Sequence, residues 1–507
     1  MPDRASSSVK TLHFRSLLLP QGWGENVRLW IAAGKIARIE CGVAAESGDA
    51  RAALGLPGLP NLHSHAFQRG MAGLTQRRAQ ADDDFWSWRE ILYRFLERLS
   101  PDDVEAIAAQ AYVEMLEAGF TRVGEFHYLH HDPSGRAYTD PAELSARVIA
   151  AAEQSGIALT LLPVFYAHSH FGGAAPAPAQ RRFVHDLNGF ARLLERTRAL
   201  VAPLPDARVG IAPHSLRAVT PDELTQLIAL AGPAPIHIHA AEQTREVDEC
   251  LAWSGRRPVE WLLDTQPINA HFCLVHATHM SADETRRLAQ SGAVAGLCPI
   301  TEADLGDGLF PAPEYLSAGG VFGIGSDSNC AIDATAELRC LEYGQRLTRR
   351  GRNLLAAPRE HLGRALFEGA LRGGAQALGA TNPREAAQAD SIERAQLAAA
   401  QPLGASGPQE RAPADPSEHA QLADAQPLGT AGLWVGAPAD LIALDLEQPI
   451  FAGRGGDAIL DSWIFAGHPG CIDRVWRAGV ELVRAGRHRQ RALIAARYRA
   501  VLDGLLR

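Results

Sequence analysis

Lysine is nearly missing from this chain. Only Lys10 and Lys35 occur among its 507 residues, and the other 47 of the 49 basic side chains are arginine. Any chemistry that needs a lysine beyond residue 35 is excluded: a Schiff base, a P-loop, or a carboxylated lysine bridging two metals. Cysteine is sparse. Cys41, Cys250, Cys273, Cys298, Cys330, Cys340 and Cys471 are odd in number and form no C-x-x-C pair. That argues against a disulfide framework or a Cys-based zinc knuckle, and for buried free thiols. No apolar run reaches the ~18–20 residues that a membrane helix needs. Residues 1–8 lead into no apolar core of a signal peptide, so a cytoplasmic protein is expected. Excess positive charge is also lacking. The formal net charge is −9, whereas a general nucleic-acid binder carries a basic face. What is present is globular composition, 46% hydrophobic and 21% charged, with ample material for a core.

Short alternating apolar runs fill 11–44, punctuated by Gly34, and read as a meander of small strands. A matching signature returns at 439–445 and 475–483. The two ends together suggest one small β domain, spanning 1–57 and 433–489. Between them, 58–380 alternates apolar strand candidates (119–125, 158–165, 209–212, 236–240, 273–276, 293–297 and 321–325) with amphipathic helical stretches at 102–118, 144–155, 189–200, 221–230, 246–254 and 281–291. With the run at 59–65 counted, eight strands alternate with helices, which implies parallel βα units. The expected fold class is α/β: a (β/α)8 TIM barrel with a small β-sandwich domain built from both chain ends. The chemistry is expected where the barrel strands end. Residues 381–432 break the pattern. AQLAAAQPLGASG at 395–407 is repeated as AQLADAQPLGTAG at 420–432. Two copies are too few for a solenoid, and the composition predicts a disordered insertion. In 490–507, Leu493, Ile494, Tyr498, Val501, Leu502 and Leu505 predict one helical stripe, packed on the body or on another subunit.

Polar residues stand at several of the expected strand ends. Residues 57–65 read Pro-Gly-Leu-Pro-Asn-Leu-His-Ser-His. Alternation along a strand turns His63 and His65 to the same side. Histidines 168/170 and 237/239 repeat the H-x-H spacing, so the spacing alone is weak. The Pro-Gly lead-in and the place on the first barrel strand strengthen the 63/65 pair. Ile236–Glu242 adds His239 and, three residues on, Glu242; 274–276 ends in His276; 323–329 places Asp327 after the last strand. Three imidazoles, one carboxylate and a fourth imidazole nearby describe a catalytic zinc, with iron as an alternative. His237 shares a face with His239 but lies deeper, and reads as core or as a supporting residue.

The strand-end order resembles that of the amidohydrolase superfamily, and the split β domain is similar to its usual companion. Without a bridging lysine, the resemblance points to the mononuclear deaminase branch. Within it, Asn61–Leu74, Phe85–Arg89, Gly124–His130, Ala212–Arg217 and His239–Gln243 resemble the formimidoylglutamate deiminases. The resemblance spans roughly 10–380 and resumes at 433–490. It implies that His63, His65, His239 and Asp327 hold one zinc per chain. It implies that Gln68, Arg89, Tyr128, His214 and Arg217 bind a small dicarboxylate substrate, since arginine grips a carboxylate bidentately. The implied reaction is hydrolytic deimination of N-formimino-L-glutamate to N-formyl-L-glutamate and ammonia, in histidine degradation. Asp327 takes the proton of the attacking water, Glu242 protonates or steadies the imino nitrogen, and His276 stabilises the tetrahedral centre. The expected partners are the small substrate and a second copy in a homodimer, with no nucleic acid and no membrane. Two alternatives differ in class: a mononuclear deaminase or chlorohydrolase acting on a purine, pterin or triazine ring, and a metal-binding scaffold without activity.

Overall fold

The computed structural model describes residues 10–78, 83–380 and 432–507. Four strands come first: β1 (Lys10–Leu19), β2 (Gly22–Ala32), β3 (Lys35–Glu40) and β4 (Ala50–Pro57). The β2–β3 turn is Ala33-Gly34, with φ of 49° and 78°. Positive φ at both positions fits a two-residue turn whose twist matches the strands. β4 lies beyond the meander read from the sequence.

The barrel follows: β5 (Leu59–Ser64), β6 (Phe120–His127), β7 (Ala158–Phe165), β8 (Arg208–Val209), β9 (Ala212–Pro213), β10 (Ile236–Ala240), β11 (Phe272–His276), β12 (Val294–Leu297) and β13 (Val321–Ile324). Every residue of β5, β6, β7, β10, β11 and β12 is buried. Helices cover the outside and side chains fill the inside, so these strands read as apolar runs. The pairing is parallel throughout, in two sheets, β5-β6-β7-β8 with β9 beside β7, and β10-β11-β12-β13. Single parallel bridges join them: Ile211 to Ile236 and Ser215 to His239 at one seam, Ser64 to Asp327 at the other. The strand expected at 209–212 is thus two short ones. Gly210 sits at the break, where a Cβ would overlap the Pro235 carbonyl.

Capping boxes at Ser100, Thr220 and Ser281 start helices that the sequence signalled, two of them with proline in the first turn. These satisfy backbone N–H groups that a helix leaves open. Other helices were not signalled by periodicity: Phe85–Leu96, Pro258–Thr265, Pro299–Leu305, Ala312–Ser317, Ala334–Arg349 and Leu362–Ala377. The last is rich in glycine. At Gly373 a Cβ would overlap the Phe322 carbonyl, so this helix backbone lies directly on β13. Its end plugs the barrel floor, where Leu378 packs with Leu62, Cys273, Val275, Val294 and Cys298.

After residue 432 come β14 (Leu441–Leu444), β15 (Ile472–Arg477), β16 (Val480–Arg484) and β17 (Arg487–His488). They join the first four strands in one sheet, ordered β17-β16-β15-β14-β4-β1-β2-β3. β1 and β15 are three strand spacings apart, about 14 Å at the usual separation. Yet Phe14 on β1 meets Trp476 on β15 edge to face at 5.8 Å. The sheet therefore curls onto itself, and the two layers of the expected sandwich are halves of one sheet. Arg477 ties it to the barrel floor by bonding Asp440 and Asp206, and Asp206 also pairs with Arg122.

The final helix, Arg491–Leu505, lies along the helix Pro101–Glu117, with ion pairs from Arg491 to Glu117 and from Arg497 to Glu105. Ile494 and Leu505 are buried, but Leu493 is 65% exposed. Leu493 therefore does not belong to the packed stripe. The duplicated segment lies outside the described residues except for Gly432.

Candidate active site

β5 carries His63, and His65 follows one residue after its end. The Nε2 atoms of His63 and His65 are 3.2 Å apart, and that of His239, on β10, lies 3.1 Å from His63 Nε2. Asp327 Oδ1 stands 3.2 Å from His65 Nε2 and 3.5 Å from His63 Nε2. In two of the three rings the opposite nitrogen fixes the tautomer. His65 Nδ1 donates to the Phe126 carbonyl at 2.9 Å, and His239 Nδ1 to the His214 carbonyl at 3.0 Å. Each Nε2 is then a bare lone pair. Burial lowers His63 to about 3 and also lowers His65 and His239, so the three rings are neutral. Neutral imidazole nitrogens at such separations repel unless a cation sits among them, and the outward Nδ1 bonds are the usual support of metal-ligating histidines. The donor set fits one divalent ion.

The seam between β5 and β13 holds this set rigid. Asp327 N donates to the His63 carbonyl and His65 N to the Asp327 carbonyl, both at 2.9 Å. Beneath them Asn61, Ser326 and Asn329 form a buried network: Asn61 Nδ2 donates to Ser326 Oγ at 2.6 Å, and Ser326 Oγ to Asn329 Oδ1 at 2.6 Å. Ala241, His276, Ala277 and Asp327 all adopt positive φ. Non-glycine residues in that region are strained, and such strain gathers at functional sites.

The two acids have different environments. Burial acts to raise Asp327, but its contacts with His63, His65 and His276 outweigh this and hold it below the ordinary carboxylate range. Glu242 is raised by burial, only partly offset by His276 and Arg217. His276 is raised to about 10: burial opposes its charge, but Glu242, Glu302 and Asp327 prevail. Its Nε2 lies 3.7 Å from Glu242 Oε1 and 3.8 Å from Asp327 Oδ2. Asp327 is thus ionised, while the neighbouring Glu242–His276 pair holds protons to deliver. Environments that separate titratable groups in this way assign acid and base roles.

A cavity of about 700 Å³, counted to its open mouth, lies over these groups. All of Gln68, Arg89, Tyr128, His214 and Arg217 line it. Gln68 Nε2 donates to Tyr128 Oη at 2.9 Å. Arg89 Nε donates to Tyr93 Oη at 2.6 Å. Arg217 NH2 stands 3.9 Å from both Glu242 Oε2 and Glu246 Oε2. Arg89, Arg217 and Arg245 all approach the ring of Trp86, at 5.3, 6.0 and 4.4 Å. The helix bearing Arg89 begins at Asp84, whose carboxylate accepts from Trp86 N and Ser87 N. Tyr93, Tyr166, Phe183 and Thr301 also line the cavity and were not singled out from the sequence. Nor was Glu302, which accepts from His276 Nδ1 at 3.2 Å. Its one signal was position, four residues beyond Cys298 after a strand whose own end carries no ligand.

His237 is fully buried, with Nε2 bonded to the Ala377 carbonyl at 2.8 Å. It is a core residue. His168 and His170 pair with Glu223 and Glu249, away from the cluster.

His237, His127 and His185 give the fold an acid sensitivity. Burial lowers His237 to about 4, and lowers His127 and His185 to about 3. The same side chains titrate near ~6.5 when unfolded. Between those values the unfolded chain binds protons that the folded one refuses, so stability falls as pH drops through that window. The thermal midpoint should fall steadily from about pH 6.5 to about pH 4, with a shallower slope in His127→Phe. A wild-type midpoint independent of pH over that range would refute this.

Residues 55–380 match the model of the amidohydrolase family. The chain belongs to that family. Residues 9–53 of this amidohydrolase match a second model, described as "Formimidoylglutamate deiminase HutF, N-terminal domain". A curated relative, the formimidoylglutamate deiminase of Pseudomonas aeruginosa, is 46% identical over 494 residues, covering 96% of this chain and 98% of its own. Among solved structures, an amidohydrolase from Brucella melitensis superposes with a TM-score of 0.86 at 49% identity, covering 98% of this chain and all of that one. An adenosine deaminase from Xanthomonas campestris with bound zinc superposes at 0.72 with 20% identity, covering 98% of each chain, and shares the fold.

Proposed function

We propose that this amidohydrolase hydrolyses N-formimino-L-glutamate to N-formyl-L-glutamate and ammonia. The observation that carries the reading is one cavity holding two arginines, Arg89 and Arg217, above the cluster of His63, His65, His239, His276, Glu242 and Asp327. The 46% identity to a formimidoylglutamate deiminase over nearly the whole chain supports it.

His63, His65, His239 and Asp327 would hold one zinc, and such an ion lowers the pKa of water so that it attacks near neutral pH. Asp327 accepts the proton of the attacking water. As oxygen adds to the formimino carbon, the Glu242–His276 pair delivers a proton to the imino nitrogen and faces the charge of the tetrahedral centre. As the carbonyl forms, the proton held by Asp327 passes to the departing nitrogen, which leaves as ammonia, the hydroxyl proton restores the Glu242–His276 pair, and the formyl group stays on glutamate. Arg89 and Arg217 take the two substrate carboxylates, and Gln68, Tyr128 and His214 orient the chain between them.

A ring substrate would want stacking aromatics, and this cavity has them: Trp88, Tyr93, Tyr128, Tyr166 and Phe183 line it. The arginines are what separate the two readings. A cytoplasmic homodimer acting in histidine degradation completes the proposal, with the barrel at 58–380 and the composite sheet as separate domains. No helix among the described residues is long and apolar enough to cross a membrane.

The test is ammonia release from N-formimino-L-glutamate beside guanine and cytosine, with metal analysis of the same preparation. The expected result is turnover of the formimino compound alone and one zinc per chain. Removal of that metal by a chelator should abolish turnover, and added zinc should restore it. Release from a ring substrate alone, or two stoichiometric metals in the active enzyme, would overturn the reading.

A further inference from the structure

His276 has two sides, and only one of them faces the reacting groups. Its Nε2 looks toward Glu242 and Asp327. Its Nδ1 is 3.2 Å from Glu302 Oε1. Glu302 is 5% exposed and sits in the first turn of the helix Pro299–Leu305, which begins just beyond β12. The same Oε1 accepts the Cys298 backbone N–H at 2.9 Å. The carboxylate is therefore fixed before it meets the imidazole. His276 itself stands at φ 67°, a conformation that a bulky residue adopts only when its surroundings hold it there.

We propose that Glu302 is a positioning residue of the deimination reaction: it holds the Nδ1–H of His276 and so aims a fixed Nε2 at the reacting centre. The reason is geometric. A histidine ring can turn about χ2, which exchanges its nitrogens for its carbons. A carboxylate on Nδ1 stops that motion, because it accepts only from N–H and in one direction. Without it, Nδ1–H would lose this acceptor, and the ring would be free to turn Nε2 away from Glu242 and Asp327. The cost of burying the Glu302 charge is met by Cys298 N–H and His276 together. A purely structural carboxylate would need only the first.

The kinetic part of this proposal rests on the deimination reading, but the contact itself does not. Two variants separate the roles. Glu302→Gln keeps an oxygen for both Cys298 N–H and His276 Nδ1–H, so the helix start survives while the charge facing His276 is lost. Glu302→Ala removes both contacts. Loss of a supporting partner of this kind typically costs ~10–100-fold. The expected result for Glu302→Gln is a kcat lower by about tenfold or more, with KM changed less than about threefold, and full metal content. Glu302→Ala should lose more. Independently of any substrate, the proton NMR spectrum of the metal-loaded enzyme should contain a ring N–H resonance far downfield of the amides, as carboxylate-bonded imidazole protons give. It should move toward the amides in Glu302→Gln, where a neutral oxygen replaces the carboxylate, and vanish in Glu302→Ala and in His276→Asn. If it vanishes in His276→Asn but keeps its wild-type position in Glu302→Gln and Glu302→Ala, or if Glu302→Gln turns over at the wild-type rate, the proposal fails. Failure of the wild type itself to release ammonia would overturn the functional reading instead, and the NMR comparison would still decide the contact.

Discussion

Asp327→Asn should lower kcat by about 10²–10⁴, the usual worth of positioned acid–base help, in a protein that stays folded and keeps its metal. The backbone of Asp327 does the structural work at the seam, through its N–H to His63 and its carbonyl to His65, and asparagine preserves both. Asparagine also preserves an oxygen where Oδ1 now stands 3.2 Å from His65 Nε2. What it removes is the carboxylate charge, which is ionised in this site and so free to take a proton. The effect should fall on kcat rather than on KM, since no substrate carboxylate or chain atom is assigned to this residue. Steady-state kinetics beside metal analysis checks it. A variant with normal metal content and more than a tenth of the wild-type kcat would remove Asp327 from the role of base.

The arginine variants should fail in a different way. Arg89→Met and Arg217→Met each leave a substrate carboxylate without its charged partner, which costs on the order of 2–5 kcal/mol in kcat/KM. Their environments predict that the two losses will not look alike. Arg89 bonds to the Tyr93 hydroxyl and rests against Trp86, so its removal should raise KM with little change in kcat. Arg217 also faces Glu242 and Glu246 at 3.9 Å. Its removal strips positive charge from beside the proton-delivering pair, so kcat should fall as well. Formiminoglycine lacks the side-chain carboxylate and should be a poor substrate of the wild type. It should lose much less from whichever arginine faces the missing group. Wild-type kcat/KM on N-formimino-L-glutamate in both variants would discard the dicarboxylate reading and favour a ring substrate.

The parts of the site that were legible in the sequence are those set by strand periodicity. His63 and His65 at alternate positions, His239 at the end of β10, His276 at the end of β11 and Asp327 after β13 stand where alternation and the strand-to-helix rhythm put them. Glu302 was not legible, because it reaches His276 from the first turn of the next helix and no period links the two. Trp86, where three arginines meet, gave only a local aromatic pattern. The seam network of Asn61, Ser326 and Asn329 joins residues far apart in the chain, and nothing local marks it. The β-rich ends were visible, but the curl that brings Phe14 onto Trp476 depends on strand order. The glycine-rich helix over β13 was hidden for a related reason: its glycines answer to the closeness of a neighbouring strand, and they dilute the apolar period.

The pairing of β4 with β14, Leu54 against Leu444 and Pro57 against Leu441, bears on how the chain folds. Until the last part of the polypeptide arrives, β4 has β1 on one side and an open edge on the other. An unpaired strand edge invites pairing with other chains, so the nascent protein carries that hazard while the barrel forms. The entropy of closing a flexible connection grows only with the logarithm of its length, by ~0.6 kcal/mol per doubling. By that rule, length added between the glycine-rich helix and β14, Ala377 to Leu441, would add little to the cost of closing the edge. The long duplicated sequence sits in that stretch.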